Sequence, residues 1–308
     1  MAIFLSDYLP DGDNFSPIQV VIKGLSDGKN RPPFQLIGSS DIQKLFKPRK
    51  RFSHKGTYGH SLIIAGAEDT MGAALISAKA CLHAGSGLTT LCMPSAGLTA
   101  LNTSIPEVMY LSRKRLISDA NKVLNKYNAI AIGPGLETGT DQEAILESLL
   151  SAAKPIIADA DALNMLAKNP RLLYKLASDS IITPHMKEFD GLFGNHNTWW
   201  DRLQTGILKA KELNIVIILK NERTFIIDQT GTVHINSTGN PAMAQGGMGD
   251  ALTGVISAFV AQGYDPKTAA LLGVYFHGKS GDDLSDDNYS VTASEVIIQL
   301  SKTIKPRP

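Results

Sequence analysis

The sequence from residue 239 to residue 256 reads Gly239-Asn240-Pro241-Ala242-Met243-Ala244-Gln245-Gly246-Gly247-Met248-Gly249-Asp250-Ala251-Leu252-Thr253-Gly254-Val255-Ile256. Its three glycines within four positions let the backbone turn through positive φ and approach a bulky ligand. The apolar residues that follow, at 252, 255, 256, 259 and 260, have helical spacing. A glycine-rich loop therefore leads into a helix N-terminus, where unpaired N–H groups and the helix dipole favour phosphate. We predict an anion hole at Gly246, Gly247, Met248 and Gly249.

Asp250 is unusual in such a place, because a carboxylate in an anion site repels the ligand. Two interpretations are open. It takes a proton from an attacking hydroxyl group, as a general base does in phosphoryl transfer. Alternatively, it caps the N-terminus of its helix, which is a common use of aspartate.

The chain around this stretch alternates between two periodicities. Apolar, β-prone runs cover Leu62–Ala65, Leu88–Met93, Ala129–Ile132, Pro155–Ala158, Ile181–Thr183 and Ile215–Leu219, and helix-period segments cover Ala73–Ala84, Gln142–Ala153 and Asp201–Leu213. Continuous apolar strands that alternate with helices predict an α/β fold with a mostly parallel sheet covered by helices on both faces. Residues 224–228 and 232–236 flank Gln229-Thr230-Gly231, which predicts a β-hairpin on one sheet edge.

Ligands bind at the carboxyl ends of the strands in such sheets. Short motifs follow five of the predicted strands there: Gly66, Gly133-Pro134-Gly135, Asp159-Ala160-Asp161, Thr183-Pro184-His185 and Lys220. Gly133 to Gly139 misses the spacing of a dinucleotide-binding Gly-x-Gly-x-x-Gly motif by one residue, so we exclude a Rossmann domain. The motifs converge on one edge of the sheet and predict a single site.

The combination resembles the ADP/ATP-dependent NAD(P)H-hydrate dehydratases of the ribokinase-like superfamily over about residues 40 to 300. The resemblance is carried by the loop at 240–250 and by several further motifs: His54-Lys55-Gly56-Thr57-Tyr58-Gly59-His60, Met71-Gly72-Ala73-Ala74, Gly133-Pro134-Gly135-Leu136, Asp159-Ala160-Asp161-Ala162-Leu163-Asn164 and Thr183-Pro184-His185. It implies a ribokinase-like dehydratase domain over residues 39–308. Residues 1–38 lack periodicity and are expected to be an arm or linker. Two origins remain open for them: a remnant of the fused epimerase domain that many relatives carry, or a cloning artefact at Met1-Ala2.

The resemblance also implies roles for individual residues. Asp250 is implied as the catalytic base and, with Ala73, Gly135 and His185, as a substrate-binding residue. The implied nucleotide-binding residues are Lys220, Asn221, Glu222, Arg223, Thr224 and Gly249. Without the resemblance, a tight turn at Gly135, helix packing at Ala73, a structural histidine at 185 and a solvated Lys220 are the ordinary alternatives.

One position departs from the family pattern. Asn221 stands where the family has glycine, and asparagine tolerates positive φ better than other non-glycine residues. No firm metal site is predicted. Water-mediated Mg²⁺ near Asp159 and Glu188 is one interpretation, because Mg²⁺ needs few protein ligands, and helix capping by Asp161 or Glu188 is the other. Asp159 and Asp161 would lie on the same side of an extended segment.

The function implied by the resemblance is the dehydration of hydrated NADH or NADPH at the expense of ADP or ATP, with Mg²⁺. Two rivals remain open. A small-molecule kinase of the same superfamily, acting on a sugar, a hydroxymethylpyrimidine or a hydroxyethylthiazole, would use the same loop. A non-enzymatic nucleotide-sensing module would retain the pocket, but it would have no use for Asp250 beside phosphate.

The composition of this 308-residue chain limits the classes of partner that it can bind. A formal net charge of +1 and a pI of about 7.8 favour neither nucleic acid nor an anionic membrane. The only cysteines, Cys81 and Cys92, lie in apolar segments, so we expect reduced core residues, and no apolar run is as long as a membrane span. We expect a cytoplasmic enzyme, and the resemblance implies a homo-oligomer, a tetramer in the simplest case.

Overall fold

The computed structural model describes residues 3–9, 21–24 and 34–304. The strands within these ranges are β1 (Ile3–Phe4), β2 (Val21–Gly24), β3 (Phe34–Ile37), β4 (His60–Ile64), β5 (Leu88–Met93), β6 (Met109–Ser112), β7 (Ala129–Ile132), β8 (Ile157–Ala158), β9 (Ile181–Ile182), β10 (Val216–Leu219), β11 (Phe225–Ile227) and β12 (Val233–Asn236). Each of the six predicted strands is confirmed, with boundaries within two residues of the prediction.

The α-helices in the same ranges are α1 (Ser39–Leu45), α2 (Met71–His83), α3 (Leu98–Ser104), α4 (Arg113–Ser118), α5 (Ala120–Leu124), α6 (Thr140–Ser151), α7 (Asp161–Lys168), α8 (Pro170–Leu173), α9 (Met186–Phe193), α10 (Trp199–Leu213), α11 (Met248–Ala261), α12 (Pro266–Ser285) and α13 (Ala293–Thr303). Short 3-10 helices lie at Leu5–Tyr8, Lys55–Tyr58, Ser95–Gly97 and Pro241–Met243. Among the described residues, no helix combines the length and the apolar character that crossing a membrane requires.

The strands form one twelve-stranded sheet in the order β1-β2-β3-β12-β11-β10-β9-β8-β7-β4-β5-β6. From β10 to β6 every neighbouring pair is parallel. Strand β11 runs antiparallel to both of its neighbours, whereas β12 is parallel to β3 and β3 is parallel to β2. The predicted mostly parallel sheet is confirmed.

The hairpin β11–β12 is confirmed, but its predicted position on a sheet edge is wrong. Strands β3, β2 and β1 continue the sheet beyond β12. The stretch predicted to be an arm thus contributes to the sheet: in β3, Phe34 and Ile37 are buried. Four residues after Pro32-Pro33 are too short a run for periodicity to reveal a strand. The rest of the arm prediction falls partly on residues 1–2, 10–20 and 25–33, which lie outside the described residues.

The sheet separates two hydrophobic cores, because neighbouring side chains of a strand point to opposite faces. In β4, Leu62 and Ile64 pack in one core and Ile63 in the other. The core containing Ile63 is closed by α2, α11, α12 and α13, and the core containing Leu62 by α6, α7, α9 and α10. Cys81 and Cys92, predicted as core residues, are free and buried in opposite cores.

Helix α11 is the central helix of the first core, and nearly every residue from Ala251 to Ala261 is buried. It packs so closely on α2 that a Cβ atom at Gly254 would lie 2.0 Å from the Ser77 carbonyl oxygen. Only glycine permits this approach. The helix N-terminus is therefore held at the carboxyl edge of the sheet by backbone contact as well as by apolar packing.

The sequence predicts two further helix starts: Ser40-x-x-Gln43 matches a capping box, and Asp265-Pro266 matches an N-cap followed by proline at the first helical position. The two predictions differ in outcome. Asp265 caps α12 by accepting a hydrogen bond from Thr268 N at 3.0 Å, as predicted. The capping box predicted from Ser40 is wrong, since α1 begins at Ser39 with Gly38 as its N-cap, and Asp41 accepts from Gly38 N.

Candidate functional site

Five predicted motifs meet at the carboxyl edge of the sheet, as expected. Each motif follows the end of one strand: Gly66 follows β4, Gly133 follows β7, Asp159 follows β8, His185 follows β9 and Lys220 follows β10. These five strands are neighbours in the sheet, in the order β10-β9-β8-β7-β4. An isolated parallel bridge between His185 and Lys220 extends the pairing of β9 with β10 to the edge. The fold therefore brings together residues as far apart in the chain as Gly66 and Lys220.

A buried ion cluster lies at the centre of this edge. Lys220 Nζ is 2.7 Å from Asp159 Oδ1 and 3.8 Å from Glu188 Oε2. The other oxygen of Asp159 accepts a hydrogen bond from Thr253 Oγ1 at 2.8 Å, which ties the cluster to α11. Burial opposes charge on Lys220, but Asp159 and Glu188 outweigh it, so the pKa of Lys220 lies above its usual value. The solvated-lysine alternative is wrong.

Asp250 is the third residue of α11, and the N-cap position is Gly247. The capping interpretation of Asp250 is therefore wrong. No hydrogen bond to its carboxylate is formed within the described part of the chain. Burial, followed by the nearby carboxylates of Asp159 and Asp161, raises the pKa of Asp250 to about 6, although Lys220 lowers it. A partly buried, unpaired carboxylate with this pKa suits a general base.

The loop before Asp250 has the geometry of an anion site. Gly247 has a φ of 87°, a left-handed conformation that favours glycine. The predicted positive φ thus occurs at Gly247 and not at Gly246 or Gly249. The first N–H groups of α11 have no partner within the helix. A Cβ at Gly249 would lie 3.5 Å from Lys220 Nζ, so this end of the helix faces the lysine.

Two of the predicted substrate-binding residues are in contact. Gly135 has a φ of 53°, and a Cβ there would lie 2.9 Å from Ala73 Cβ at the start of α2. Thr70, which precedes α2, donates a hydrogen bond from Oγ1 to the Gly135 carbonyl oxygen at 2.6 Å. The loop after β7 and the start of α2 thus form one wall, whose close fit requires small residues at 73 and 135.

His185 and Glu188 cap α9 reciprocally. Glu188 N donates to His185 Nδ1 at 3.2 Å, and His185 N donates to Glu188 Oε2 at 2.8 Å. The capping alternative for Glu188 is therefore correct, and the same carboxylate also faces Lys220. The His185 side chain remains half exposed at the site edge, where a ligand can reach it.

Asp159 and Asp161 were expected to lie on the same side of an extended segment. The segment is not extended, and the two carboxylates have different hydrogen-bond partners. Ala160 between them has φ 48° and ψ −117°, so the chain turns sharply there. Asp161 accepts hydrogen bonds from Glu137 N at 2.8 Å and from Asn164 Nδ2 at 3.2 Å. It is the first residue of α7 and not its N-cap. Its role is to fix the loop after β7.

A cavity of about 420 Å³ opens between the end of β10, the loop at 238–249 and the faces of α11 and α12. It is lined by Lys220, Asn221, Glu222, Thr224, Asn236, Thr238, Gly239, Asn240, Pro241, Met243, Ala244, Met248, Gly249, Leu252, Val274, His277 and Gly278. All predicted nucleotide-binding residues except Arg223 are among them. Arg223 Nη1 instead donates to the Ser237 carbonyl oxygen at 3.4 Å.

The replacement of the family glycine by Asn221 does not strain the loop. Asn221 is not among the described residues with positive φ. Its position therefore makes no demand that glycine alone can meet, and the Asn221 side chain adds a polar group to the cavity wall.

Sequence reasoning missed the residues that hold the glycine loop. Asp282 on α12 accepts hydrogen bonds from Gly239 N at 3.1 Å and from Asn240 Nδ2 at 2.8 Å. Asn240 Oδ1 in turn accepts from Ala242 N at 3.0 Å, which fixes the 3-10 helix of the loop. An aspartate late in a long helix, 42 positions from its partner, gives no sequence signal of such a contact.

We predict that Asp282→Ala loosens the entry of the loop. Loss of a carboxylate that accepts from Gly239 and Asn240 is expected to lower the free energy of unfolding by about 2 kcal/mol and to weaken ADP binding. Urea denaturation and calorimetry measure the two effects. Asp287→Ala, with the same charge change at an exposed position, is the control. Equal stability and ADP affinity in both variants would contradict the anchoring role.

The residues offer little to a metal ion directly. No cluster of three or more His, Cys, Asp or Glu side chains is suitable for a metal in the described ranges. The Lys220 ammonium group lies between Asp159 and Glu188, in the place that a directly bound cation would take. Mg²⁺ fits this site only when nucleotide phosphates and water supply its ligands, which is its usual behaviour at phosphates.

Comparison with known proteins agrees with this geometry. The family described as NAD(P)H-hydrate dehydratase matches residues 61–304. The ADP-dependent (S)-NAD(P)H-hydrate dehydratase of Lactiplantibacillus plantarum is 33% identical over 86% of this chain and 95% of that protein. The bifunctional NAD(P)H-hydrate repair enzyme of Moorella thermoacetica is 39% identical over 77% of this chain, which spans about half, 47%, of that longer relative.

Solved structures give the same relation. The ADP/ATP-dependent NAD(P)H-hydrate dehydratase of Bacillus subtilis, crystallised with ATP and Mg²⁺, has a TM-score of 0.75 and 32% identity over 86% of this chain and 95% of its own. A ribokinase-like superfamily protein of Enterococcus faecalis has a TM-score of 0.81 and 26% identity, covering 91% of this chain and 98% of its own. The fold is ribokinase-like, and the chain belongs to the NAD(P)H-hydrate dehydratase family.

Proposed function

We propose that this chain dehydrates hydrated NADH or NADPH in a reaction that requires ADP or ATP, and thereby repairs a damaged cofactor. The observation that carries the chemistry is Asp250, an unpaired carboxylate with a pKa of about 6 at the N-terminus of α11. Membership in the family supports the substrate. Phosphorylation serves dehydration because phosphate is a far better leaving group than hydroxide.

Each group at the site has a part in this reaction. Asp250 takes the proton of the ring hydroxyl as that oxygen attacks the terminal phosphoryl group of the nucleotide, and AMP leaves when the nucleotide is ADP. The N–H groups of residues 246–249 stabilise the charge on the transferring phosphoryl group, and Lys220 adds a cation beside them. The phosphate ester then loses phosphate and a proton, which restores the dihydronicotinamide.

The hydrated ring would lie against the wall formed by Ala73 and Gly135, with His185 at its rim. The nucleotide would occupy the cavity beside Lys220, Asn221, Glu222, Thr224 and Gly249. Arg223 would make no direct contact with it, because its side chain bonds the Ser237 carbonyl oxygen. Mg²⁺ held by the phosphates would supply further charge neutralisation, with Asp159 and Glu188 reaching it through water only.

Two rival functions use the same geometry. A small-molecule kinase would keep the phosphoryl group on its product, and a nucleotide sensor would bind without turnover. The position of Asp250 opposes the sensor, since a carboxylate beside phosphate weakens nucleotide binding and a sensor has no need of a base.

One assay separates all three functions. The protein is incubated with hydrated NADH, Mg²⁺ and ADP or ATP, while NADH absorbance and free phosphate are followed together. We expect NADH and phosphate in equal amounts and none of either without nucleotide, because phosphorylation creates the leaving group. A kinase consumes nucleotide only when its own alcohol substrate is present, and it releases no free phosphate. A sensor neither consumes nucleotide nor forms NADH. NADH recovered at the same rate without nucleotide would exclude the phosphorylation mechanism.

Location stays a prediction from the composition of the sequence, and assembly stays a prediction from the family resemblance. We propose a cytoplasmic homo-oligomer, with a tetramer as the first assembly to test. Light scattering coupled to size-exclusion chromatography measures the mass of the assembly. A mass equal to that of one 33.1 kDa chain would exclude the homo-oligomer.

A further inference from the structure

Helix α9 carries two residues of the site on a short segment of chain. His185 is its N-cap, and Glu188, in its first turn, faces Lys220. The helix has eight residues, and Phe189 is the only buried residue among them. The pairing of His185 with Lys220 fixes where the helix begins, and apolar packing at one fully buried side chain constrains its direction weakly. Something further must hold Glu188 in place.

Asp190 provides this attachment through a buried ion network. Its Oδ1 atom accepts hydrogen bonds from His196 Nδ1 at 2.9 Å and from Arg202 Nε at 3.0 Å, and its Oδ2 atom accepts from Arg202 Nη2 at 2.7 Å. The side chains of His196 and Arg202 are 8% exposed, and that of Asp190 is 17% exposed. Arg202 Nη2 also donates to the His196 carbonyl oxygen at 3.0 Å. One carboxylate thus joins α9 to the loop that follows it and to α10.

Helix α10 is closely packed on the sheet. Leu203 and Ala210 are fully buried, and a Cβ atom at Gly206 would lie 2.4 Å from Ile227 Cδ1 on β11. Two parallel hydrogen bonds from a guanidinium group to a carboxylate fix orientation as well as distance. The network therefore holds α9 in one direction relative to the sheet.

Such a network suits positioning better than stability. Desolvation offsets much of the attraction within a buried ion group, and its best-attested use is to select one arrangement over others. The arrangement selected here contains the reciprocal cap, in which Glu188 N donates to His185 Nδ1. A neutral imidazole whose Nδ1 accepts carries its proton on Nε2. The direction of α9 thus decides where Glu188 meets Lys220 and which nitrogen of His185 is a donor.

We infer that the network of Asp190, His196 and Arg202 positions α9 for the reaction. It holds Glu188 beside Lys220 and keeps the cap that orients the histidine at the rim of the site. None of its three members lines the cavity, so they are positioning residues and not catalytic ones. The inference rests on the proposed dehydratase function and adds to it the residues that align one side of the site.

The experiment removes all charges of the network together. The triple variant Asp190→Leu, His196→Leu and Arg202→Met should fold, because replacing a whole buried ion group by apolar residues of similar volume is often neutral or stabilising. We expect kcat/KM for hydrated NADH to fall roughly 10- to 100-fold, since a small misplacement of reacting groups costs up to about 100-fold. The urea midpoint should stay the same or rise. Lys209→Met with Glu212→Gln removes an ion pair from the same helix and is the control.

Two results of this experiment would overturn the inference. Unchanged kcat/KM in the triple variant would show that the direction of α9 does not depend on the network. A loss of activity that is matched by an equal loss of stability would assign the network to the fold alone. Should the triple variant not fold, Arg202→Gln replaces it, because glutamine keeps one donor but loses the charge and the two-bond fork.

Nuclear magnetic resonance of His185 adds a readout that a purely structural network would not move. Long-range 1H–15N spectra of the ligand-free protein show which ring nitrogen carries the proton. In the wild-type protein the neutral ring should carry it on Nε2, because Nδ1 accepts from Glu188 N. In the triple variant we expect a mixture of both tautomers. The wild-type tautomer alone in that variant would contradict the positioning role.

The spectra need no hydrated NADH, so they stand apart from the dehydratase assay. If the tautomer of His185 depends on the network but the wild-type protein recovers no NADH, the proposed reaction fails and the positioning of α9 holds. If both proteins recover NADH with equal kcat/KM, the inference fails alone.

Discussion

Asp250→Asn is expected to lower turnover by roughly 10²–10⁴, the usual loss when a general base is removed, while ADP still binds. Asparagine keeps the shape of the side chain at the third residue of α11 but accepts no proton. In the wild-type protein, kcat/KM should rise with pH through about 6, where Asp250 loses its proton. The assay for NADH and phosphate measures turnover, and calorimetry measures ADP binding. Asp287→Asn, at an exposed position, is the matched control.

The same substitution should slightly stabilise the protein at pH 7. The pKa of Asp250 is about 6 in the folded protein against 3.8 in an ordinary aspartate. The ionised form is thus disfavoured by folding. This penalty is absent below about pH 4 and complete above about pH 6. Asparagine removes it, so the melting temperature should rise at pH 7 and not at pH 4. Wild-type turnover in Asp250→Asn would contradict the role of Asp250 as a base, and a loss of stability at pH 7 would contradict its raised pKa.

Lys220→Met should have the largest effect on stability. Lys220 is the cation between Asp159 and Glu188, whose side chains are 2% and 8% exposed. Removing it leaves two buried carboxylates without a counter-ion, which typically costs about 3–5 kcal/mol of the free energy of unfolding. ADP binding should weaken as well, because the cation beside the phosphates is lost. Urea denaturation at pH 7 measures the first effect and calorimetry the second.

Two further variants test the cause. Asp159→Asn combined with Lys220→Met removes one of the stranded charges and should recover much of the stability but not ADP binding. The destabilisation should also be smaller at pH 5, because burial already raises the pKa of Glu188 and loss of the lysine raises it further. Lys122→Met is the control, since the Lys122 side chain is 80% exposed and its ion pair is weak. Equal stability of Lys220→Met and Lys122→Met would contradict the buried cluster.

The parallel half of the sheet and the edge where the site lies could be predicted from the sequence. Apart from β6, which is partly exposed at the edge of the sheet and was not predicted, the strands from β4 to β10 are apolar runs buried on both faces, and such runs are visible in one sequence. Ligand-facing residues follow these strands directly, so their convergence required no knowledge of loop shape. The sequence did not predict β3, because the burial of this strand depends on its pairing with β12, nearly 200 positions away. No local pattern contains that pairing.

The details of the site could be predicted less well. Lys220 was assigned to phosphate, but its pairing with Asp159 depends on two strand ends meeting in space. Glu188 was predicted either to cap its helix or to lie near the metal and phosphates, and the structure shows that its carboxylate caps α9 and also faces Lys220. Asp282 lies on α12, and nothing in its local sequence indicates its hydrogen bonds with Gly239 and Asn240. Residues of this kind acquire their roles from neighbours distant in the chain, which periodicity cannot show.

The direct backbone contact between α2 and α11 at Gly254 has a mechanical consequence. Ala73 begins one of these helices and Asp250 the other, so the surface that would receive the substrate and the base that would act on it belong to a single rigid body. We therefore expect their separation to change little when a ligand binds. Any closure around the nucleotide is then expected to come from the loop after β10, where Glu222 is exposed. The substrate side of the site would thus be rigid, and adjustment to a ligand would fall to the nucleotide side.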